Sequence, residues 1–263
     1  MRTFLASLVA VLTLGAVAVP TATAAGTSES TVHIGALLSL TGGGSTLGNT
    51  SKAALQVAVS KWNAQPKAKR EGTKLVLDVY NTNLEPEKAL TGLQALAKKG
   101  AKIVIGPQSS SEVAAIKDEA ASLGVLVVSQ GSTASSLAIP GDNVFRFVPT
   151  DHVEGRAITD LMVKDGATQI VPMWRNDAGN QGLADTVRST GPTEGATVSA
   201  GFMYATDTTD FTDALAAVTT QVNDAVATAG VDHVAVYLAG FEETADVLAA
   251  AKTIPHLANV RWY

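Results

Sequence analysis

Ten residues near the start of the chain, TGGGSTLGNT (Thr41–Thr50), have the composition of an anion-binding loop. Glycine loops bind phosphates when backbone N–H groups and a helix N-terminus face the ligand. The pattern G-x-x-x-x-G-K-[ST] fails here because Asn49 replaces the lysine. The dinucleotide pattern G-x-G-x-x-G fails because Leu47 stands at the third glycine. These mismatches argue against a nucleotide as the ligand of this loop.

Two further loops have the same character, GPQSSSE (106–112) and SQGSTASSL (129–137). All three loops follow apolar strands and combine glycine and hydroxyl residues with almost no charge. In open parallel sheets, ligands lie beyond the carboxyl ends of the strands, so these loops suit a small polar solute. A structural alternative stays open for the middle loop. Ser109 and Glu112 have the spacing of a capping box, in which Ser109 or Ser110 satisfies the first helical turn.

Residues that could perform catalysis do not form a recognisable site. No G-x-S-x-G motif surrounds the hydroxyl residues, and His33, His152, His233 and His256 are scattered without an H-x-x-x-H pair. The absence of cysteine excludes disulfides, thiolate metal sites and a lipid-modified cysteine. We therefore expect a binding protein that is not an enzyme, with no cofactor and no metal.

The first residues are typical of a secretory signal peptide. Arg2 precedes the apolar run FLASLVAVLTLGAVAV, and the small residues Ala22 and Ala24 follow it. The alternative is a transmembrane anchor, for which this run is short. Cleavage after Ala24 removes one of the 19 basic residues and leaves 18 against 24 acidic residues, a net charge of −6. We expect a periplasmic or secreted monomer, with a signal peptide at 1–24 and no affinity for nucleic acid.

The periodicity of the chain places the loops in an α/β fold with two similar lobes. Apolar strands alternate with amphipathic helices in two successive runs, which is typical of parallel sheets flanked by helices on both faces. We predict an N-terminal ligand-binding lobe at 25–148 and a second lobe at 149–263. The predicted strands are 32–40, 74–80, 101–106, 125–129, 143–149, 169–174, 197–204, 233–240 and 260–263. The predicted helices include 51–64, 86–99, 151–165, 181–190, 211–229 and 242–253.

The order of five motifs resembles that of the type I periplasmic binding proteins of branched-chain amino acid ABC transporters. The motifs are IGALLSLTGGGSTLG, IVIGPQSSSEVAAIKDEA, GVLVVSQGSTASSL, VFRFVPTD and GFMYATDTTDFTDAL. The resemblance implies two hinged lobes that close on an amino acid, or on a related carboxylate or amide. It also implies that a membrane permease of an ABC transporter receives the ligand. A ligand-sensing domain of the same fold in a signalling system is the alternative.

The resemblance further implies ligand-binding residues in the first lobe. Ser110 and Thr133 match the hydroxyl residues that hold the ligand's α-carboxylate in this family. The carbonyl of Gly131 matches the group that accepts a hydrogen bond from the ligand's ammonium. Ser132, between Gly131 and Thr133 in the sequence, is also a candidate. A carboxylate at a helix N-terminus gains charge-assisted hydrogen bonds, which agrees with this assignment.

The far wall of the pocket departs from the family pattern. Leu47 and Gly179 stand where amino acid binders of the family commonly have tyrosines, which puts leucine in doubt as the ligand. Phe241, or the neighbouring Gly240, matches a third aromatic position. We expect Leu47, Gly179 and Phe241 to line the pocket.

Two residues at the end of a second-lobe strand, Trp174 and Arg175, are also candidates for ligand contact. The alternatives are a core tryptophan and a solvated arginine. The chain ends at NVRWY (259–263), where the resemblance implies a glycine-rich turn with an acidic residue for the ammonium. We expect that acid to lie beyond Tyr263 and the chain to be truncated at its C-terminus.

Overall fold

The computed structural model describes residues 30–263, apart from the side chains of residues 69 and 70, and contains two parallel β-sheets. The predicted signal peptide lies outside the described residues. The strands are β1 (Ser30–Leu38), β2 (Thr73–Asn81), β3 (Ile103–Ile105), β4 (Leu126–Ser129), β5 (Val144–Arg146), β6 (Gln169–Arg175), β7 (Thr197–Val198), β8 (Phe202–Tyr204), β9 (Val234–Ala239) and β10 (Arg261–Trp262). The α-helices are α1 (Ser45–Ala64), α2 (Pro66–Glu71), α3 (Pro86–Lys98), α4 (Ser110–Leu123), α5 (Asp151–Lys164), α6 (Ala178–Thr190), α7 (Thr212–Ala229), α8 (Thr244–Ala251) and α9 (Pro255–Ala258).

The two sheets repeat one topology. The first has the order β2-β1-β3-β4-β5, and the second has the order β10-β9-β6-β7 with β8 also paired to β6. Every pairing is parallel. In each sheet, the chain begins at a central strand, β1 or β6. The next strand along the chain, β2 or β7, is added on one side of it, and a later strand, β3 or β9, is added on the other side. The two-lobed α/β prediction is therefore confirmed, whereas the exact boundaries at 25–148 and 149–263 remain predictions.

The central strand of the second sheet, β6, is buried on both faces. Val171 and Met173 face a core that contains α7, and Ile170 and Trp174 face a second core that contains α6. A strand with apolar residues on both faces needs helices on both sides of its sheet. Truncating the fully buried Met173 to alanine would cost about 2–5 kcal/mol, since the cavity closes only in part.

Helix ends in the first lobe follow the sequence signals. Pro86 begins α3, Glu87 lies in its first turn and Lys98 in its last, which complements the helix dipole. Helix α4 begins with the predicted capping box, and Gly124 ends it in the left-handed conformation with a φ of 60°. The N-terminus of α3, which follows the loop after β2, and the N-terminus of α4, which follows the loop after β3, are thereby fixed.

Within residues 30–263, no helix has both the length and the hydropathy required to cross a bilayer.

Candidate functional site

The carboxyl ends of strands from both sheets face one another across a cavity of about 560 Å³. Small-ligand pockets typically span about 300–1,000 Å³, so a solute of amino acid size fits. The cavity is lined by Gly42, Gly43, Asn83, Leu84, Glu85, Pro86, Ser109 and Ser111 of the first lobe, and by Arg175, Asn176, Asp177, Thr206, Asp207 and Phe241 of the second.

Ser110, Ser132, Thr133 and Gly179 lie together at one side of this cavity. Ser110 is the first residue of α4, and its hydroxyl accepts hydrogen bonds from the Ala134 N–H and from the Ser132 hydroxyl, both at 3.1 Å. A Cβ on Gly179 would lie 3.3 Å from Ser110 Oγ and 3.7 Å from Thr133 Oγ1. The second lobe therefore covers these hydroxyls directly, and their binding role stays a prediction.

The neighbours of Ser110 in the sequence line the open cavity. Ser109 accepts from the Glu112 N–H while the Glu112 carboxylate accepts from the Ser109 N–H, so the capping-box interpretation holds for Ser109. Ser111 accepts a hydrogen bond of 3.2 Å from the Ala178 N–H of the second lobe. Sequence reasoning did not select Ser111 as a cavity residue, although it directly follows Ser109 and Ser110 in a run of three serines.

Three of the predicted far-wall residues, Gly179, Trp174 and Leu47, do not line the open cavity, and Gly179 instead lies against Ser110 and Thr133. Trp174 is 5% exposed within the second-lobe core, and its indole N–H donates to Gln181 Oε1 at 2.9 Å. The expectation of ligand contact for Trp174 is corrected, because alternation along β6 turns its ring into the core while Arg175 reaches the cavity. Leu47 lies in the first turn of α1 with 51% of its surface exposed, beside a hydrogen bond from the Thr46 N–H to Glu242 Oε1.

Gly131, the remaining first-lobe candidate, lies in the loop after β4. Its N–H donates to Ser129 Oγ at 3.4 Å, and a Cβ at this position would lie 2.7 Å from the Gln108 carbonyl oxygen. Glycine is therefore required for the close approach of the two loops that carry Ser110 and Thr133.

The second-lobe wall combines an aromatic ring with a cation. Phe241 lines the cavity as predicted from the resemblance, and Arg175 Cζ lies 5.2 Å from the centre of its ring. This distance permits a cation–π interaction. Arg175 also lies near two carboxylates, with Nε 3.2 Å from Asp177 Oδ2 and Nη1 3.6 Å from Glu243 Oε2.

The Glu243 carboxylate is held in place by its own hydrogen bonds. Its Oε1 accepts from the Tyr204 hydroxyl at 3.0 Å and from the Phe241 N–H at 3.1 Å. Burial, and then the nearby Glu243 charge, raise the pKa of Tyr204. Tyr204 therefore remains a protonated donor at neutral pH and keeps Glu243 in its position.

The first-lobe wall carries a carboxylate at Glu85 that is paired with Lys88. Its carboxylate accepts from Asn83 Nδ2 at 2.7 Å and from Lys88 Nζ at 2.9 Å, and these hydrogen bonds lower the pKa of Glu85. Among residues 30–263, no group of three or more His, Asp or Glu side chains is arranged to hold a metal ion.

Comparisons with known proteins agree with this architecture. The family described as periplasmic binding protein matches residues 31–254. An uncharacterized protein of Methanocaldococcus jannaschii is 34% identical over 169 residues, which are 62% of this chain and 40% of that protein. The Leu/Ile/Val-binding protein BraC3 of Rhizobium johnstonii is 29% identical over 162 residues, 60% of this chain and 43% of that protein.

A solved structure of the leucine binding protein LivK from Thermotoga maritima has the same fold. It superimposes with a TM-score of 0.71 at 22% identity, over 86% of this chain and 61% of LivK. The chain thus spans less than half the length of the two curated relatives and about three fifths of this solved structure.

Proposed function

The chain belongs to the periplasmic binding protein family, and from this premise we propose that it captures a small amino acid, or a related carboxylate or amide, outside the cytoplasm and delivers it to the permease of an ABC transporter. The observation that carries the proposal is the cavity between the lobes, which is lined by the carboxyl ends of strands, the loops that follow them and the first turns of the next helices. Such loops are the usual ligand site of open parallel sheets.

In the proposed mechanism, the first lobe binds the ligand's carboxylate before the lobes close. The capping box engages the Ser109 and Glu112 N–H groups, so the N–H groups of Ser110 and Ser111 would be the ones to bind the anion. The dipole of a helix contributes about 0.3–2 kcal/mol to an anion at this end. Ser110 and Thr133 would supply hydroxyl donors once Gly179 moves away with the second lobe. Closure then places Gly179 and Phe241 over the ligand and excludes water.

The names of two similar proteins support an amino acid as the ligand class. One is a Leu/Ile/Val-binding protein and the other a leucine binding protein. The resemblance implies a tyrosine where Gly179 stands, and Gly179 would close over the ligand, so the ligand of this chain is expected to differ from leucine in its side chain.

A thermal-shift screen of the purified protein against amino acids, their amides and small carboxylates tests the proposal. A ligand at 100 times its dissociation constant stabilises the folded protein by about 2.7 kcal/mol. Ser110→Ala and Thr133→Ala should each weaken binding of the best ligand by roughly 10- to 150-fold, because each removes one hydrogen bond to a charged group, worth about 1.5–3 kcal/mol. Ser189→Ala on α6 is the control, since the Ser189 hydroxyl donates only to the Thr186 carbonyl. Unchanged affinity in both cleft variants would refute the assigned site.

A further inference from the structure

We infer that the cleft selects a ligand whose far end carries a neutral hydrogen-bond acceptor, in particular a carboxamide, and that Arg175 is the residue that recognises it. The inference rests on the proposed binding function and specifies its ligand class. It is carried by the unused hydrogen-bonding capacity of Arg175 and by the charges that surround it.

Arg175 ends β6 with a guanidinium that is largely withdrawn from water, its side chain being 15% exposed. Its Nε is buried and has no aligned hydrogen bond to any residue that the structure describes. The contact from Nη1 to Glu243 is 3.6 Å long, beyond normal hydrogen-bond length. An arginine carries five N–H donors, and buried donors without acceptors are costly. The cavity beside Arg175 is where an acceptor can enter.

The neighbouring carboxylates are committed to other donors. Asp177 caps α6, and it accepts from the N–H groups of Gly179 and Asn180 and from Asn180 Nδ2 at 2.7–3.1 Å. Glu243 is held by Tyr204 and by the Phe241 N–H. Neither carboxylate can turn toward Arg175 without losing these bonds. Both carboxylates therefore pair with the guanidinium only loosely, at 3.2 and 3.6 Å, and its remaining N–H groups are available to a ligand.

The charge around Arg175 discriminates between acceptors. One guanidinium faces the two carboxylates of Asp177 and Glu243, and the cavity is also lined by Asp207 and by Glu85, which Lys88 neutralises. A second carboxylate on the ligand would enter a region of net negative charge and be repelled. A carboxamide oxygen accepts from Arg175 without adding charge, and its NH₂ group can donate to the surrounding carboxylates.

An aliphatic end is also disfavoured at this position. Phe241 covers one face of the guanidinium and offers an apolar surface to the methylene groups of a ligand. A branched alkyl end would make that contact but would leave the Arg175 donors without an acceptor and without water. The site therefore combines an apolar wall for the ligand's stem with donors for its tip.

Calorimetric titrations with L-leucine, L-asparagine and L-aspartate, whose side chains have nearly the same shape, test this inference. L-Glutamine and L-glutamate extend the comparison by one methylene. We expect the better of the two carboxamides to bind at least tenfold more tightly than the carboxylate of the same length and than leucine. Arg175→Met should reduce this preference to less than threefold. Arg175→Lys retains the charge between the two carboxylates in case Arg175→Met does not fold, and it should lower the preference as well because it lacks the planar fork.

Arg188→Met is the matched control. Arg188 is also a second-lobe arginine over an aromatic ring, 4.2 Å from the centre of Trp174 and paired with Asp185, but it does not line the cavity. The control should keep the carboxamide preference. Tighter binding of leucine or of a dicarboxylate would overturn the inference and leave the proposed function standing. No binding of any of the five amino acids would also overturn the inference, while the proposed function would be decided by the broader thermal-shift screen. A preference that persists in Arg175→Met and Arg175→Lys would remove Arg175 from the assignment.

Discussion

Gly179 is the point at which the second lobe touches the hydroxyls assigned to the ligand's carboxylate. A Cβ there would lie 3.3 Å from Ser110 Oγ, tighter than ordinary van der Waals contact. Because closure places Gly179 over a ligand bound at these hydroxyls, the added Cβ of Gly179→Ala should crowd that ligand and weaken its binding by about 1 kcal/mol, roughly fivefold. The same change should not lower the melting temperature, since alanine favours the helix α6 by up to about 1 kcal/mol.

Paired calorimetry and thermal unfolding check the Gly179 prediction. Ser189→Ala, on the same helix and away from the lobe contact, should leave ligand affinity as in the parent protein. A Gly179→Ala protein that binds with parental affinity, or that melts at a lower temperature, would contradict the role given to this contact.

Sequence reasoning selected two of the residues that line the cavity, Phe241 and Arg175. Ser110, Ser132, Thr133 and Gly179 were also selected, and the fold brings them together. Trp174 could not be separated from Arg175 because the face to which a strand residue points depends on register, which a strand apolar on both faces does not reveal.

At the scale of elements, the first turn of α4 carries a buried carboxyl group, Glu112, next to the candidate site. Glu112 is fully buried, and its Oε2 accepts from the Ser109 N–H at 3.0 Å and from the Ser109 hydroxyl at 2.7 Å. Burial raises the pKa of Glu112, although the hydrogen bonds from Ser109 oppose this. The folded state thus binds this proton more tightly than the unfolded state. The contribution of Glu112 to stability is fully present below its unfolded pKa and is lost as the pH rises through the folded pKa.

Glu112→Gln should remove this pH dependence, because glutamine can also accept in a capping box and carries no charge. The melting temperature of the variant minus that of the parent should increase as the pH is raised from about 4, near the ordinary glutamate pKa, to neutral pH. Glu119→Gln, on the same helix and bonded to Gln94, is the control and should show no such trend. A difference that stays constant or falls with pH would show that the Glu112 charge does not oppose folding.

The types of the longer helices and strands were predictable, whereas the short helices α2 and α9 and several boundaries were not. Helix α1 begins at Ser45, six residues before the predicted start, because the glycines that indicate a loop are accommodated by packing. At Gly48 a Cβ would lie 1.7 Å from the Ser39 carbonyl oxygen, so this helical glycine allows α1 to approach the end of β1. The predicted strand 197–204 is divided into β7 and β8, with Gly201 at a φ of 73° between them.

At the scale of the whole molecule, the described residues show two hydrogen bonds between the lobes away from the connection at residues 147–151 and its contacts from Asp151 to Thr133 and Ser135. The Ala178 N–H donates to Ser111 Oγ and the Thr46 N–H to Glu242 Oε1. Each hydrogen bond contributes only about 0.5–1.5 kcal/mol, so the lobes can separate at modest cost. The two-lobed fold was predictable because alternating strands and helices specify parallel sheets. The relative position of the lobes depends on such weak long-range contacts, which no local pattern encodes.

Closure on the ligand is directly measurable because the chain contains no cysteine. Spin labels at Glu87→Cys on α3 and Ala249→Cys on α8, both exposed, would report the distance between the lobes. Without ligand we expect a broad distance distribution, which loses its longest component when the tightest-binding amino acid is added. A pair within the first lobe, Glu87→Cys and Lys61→Cys, should give the same distribution in both conditions. If the pair that spans the lobes is equally insensitive to a ligand that calorimetry shows to be bound, capture does not involve lobe closure and the cleft is a rigid site.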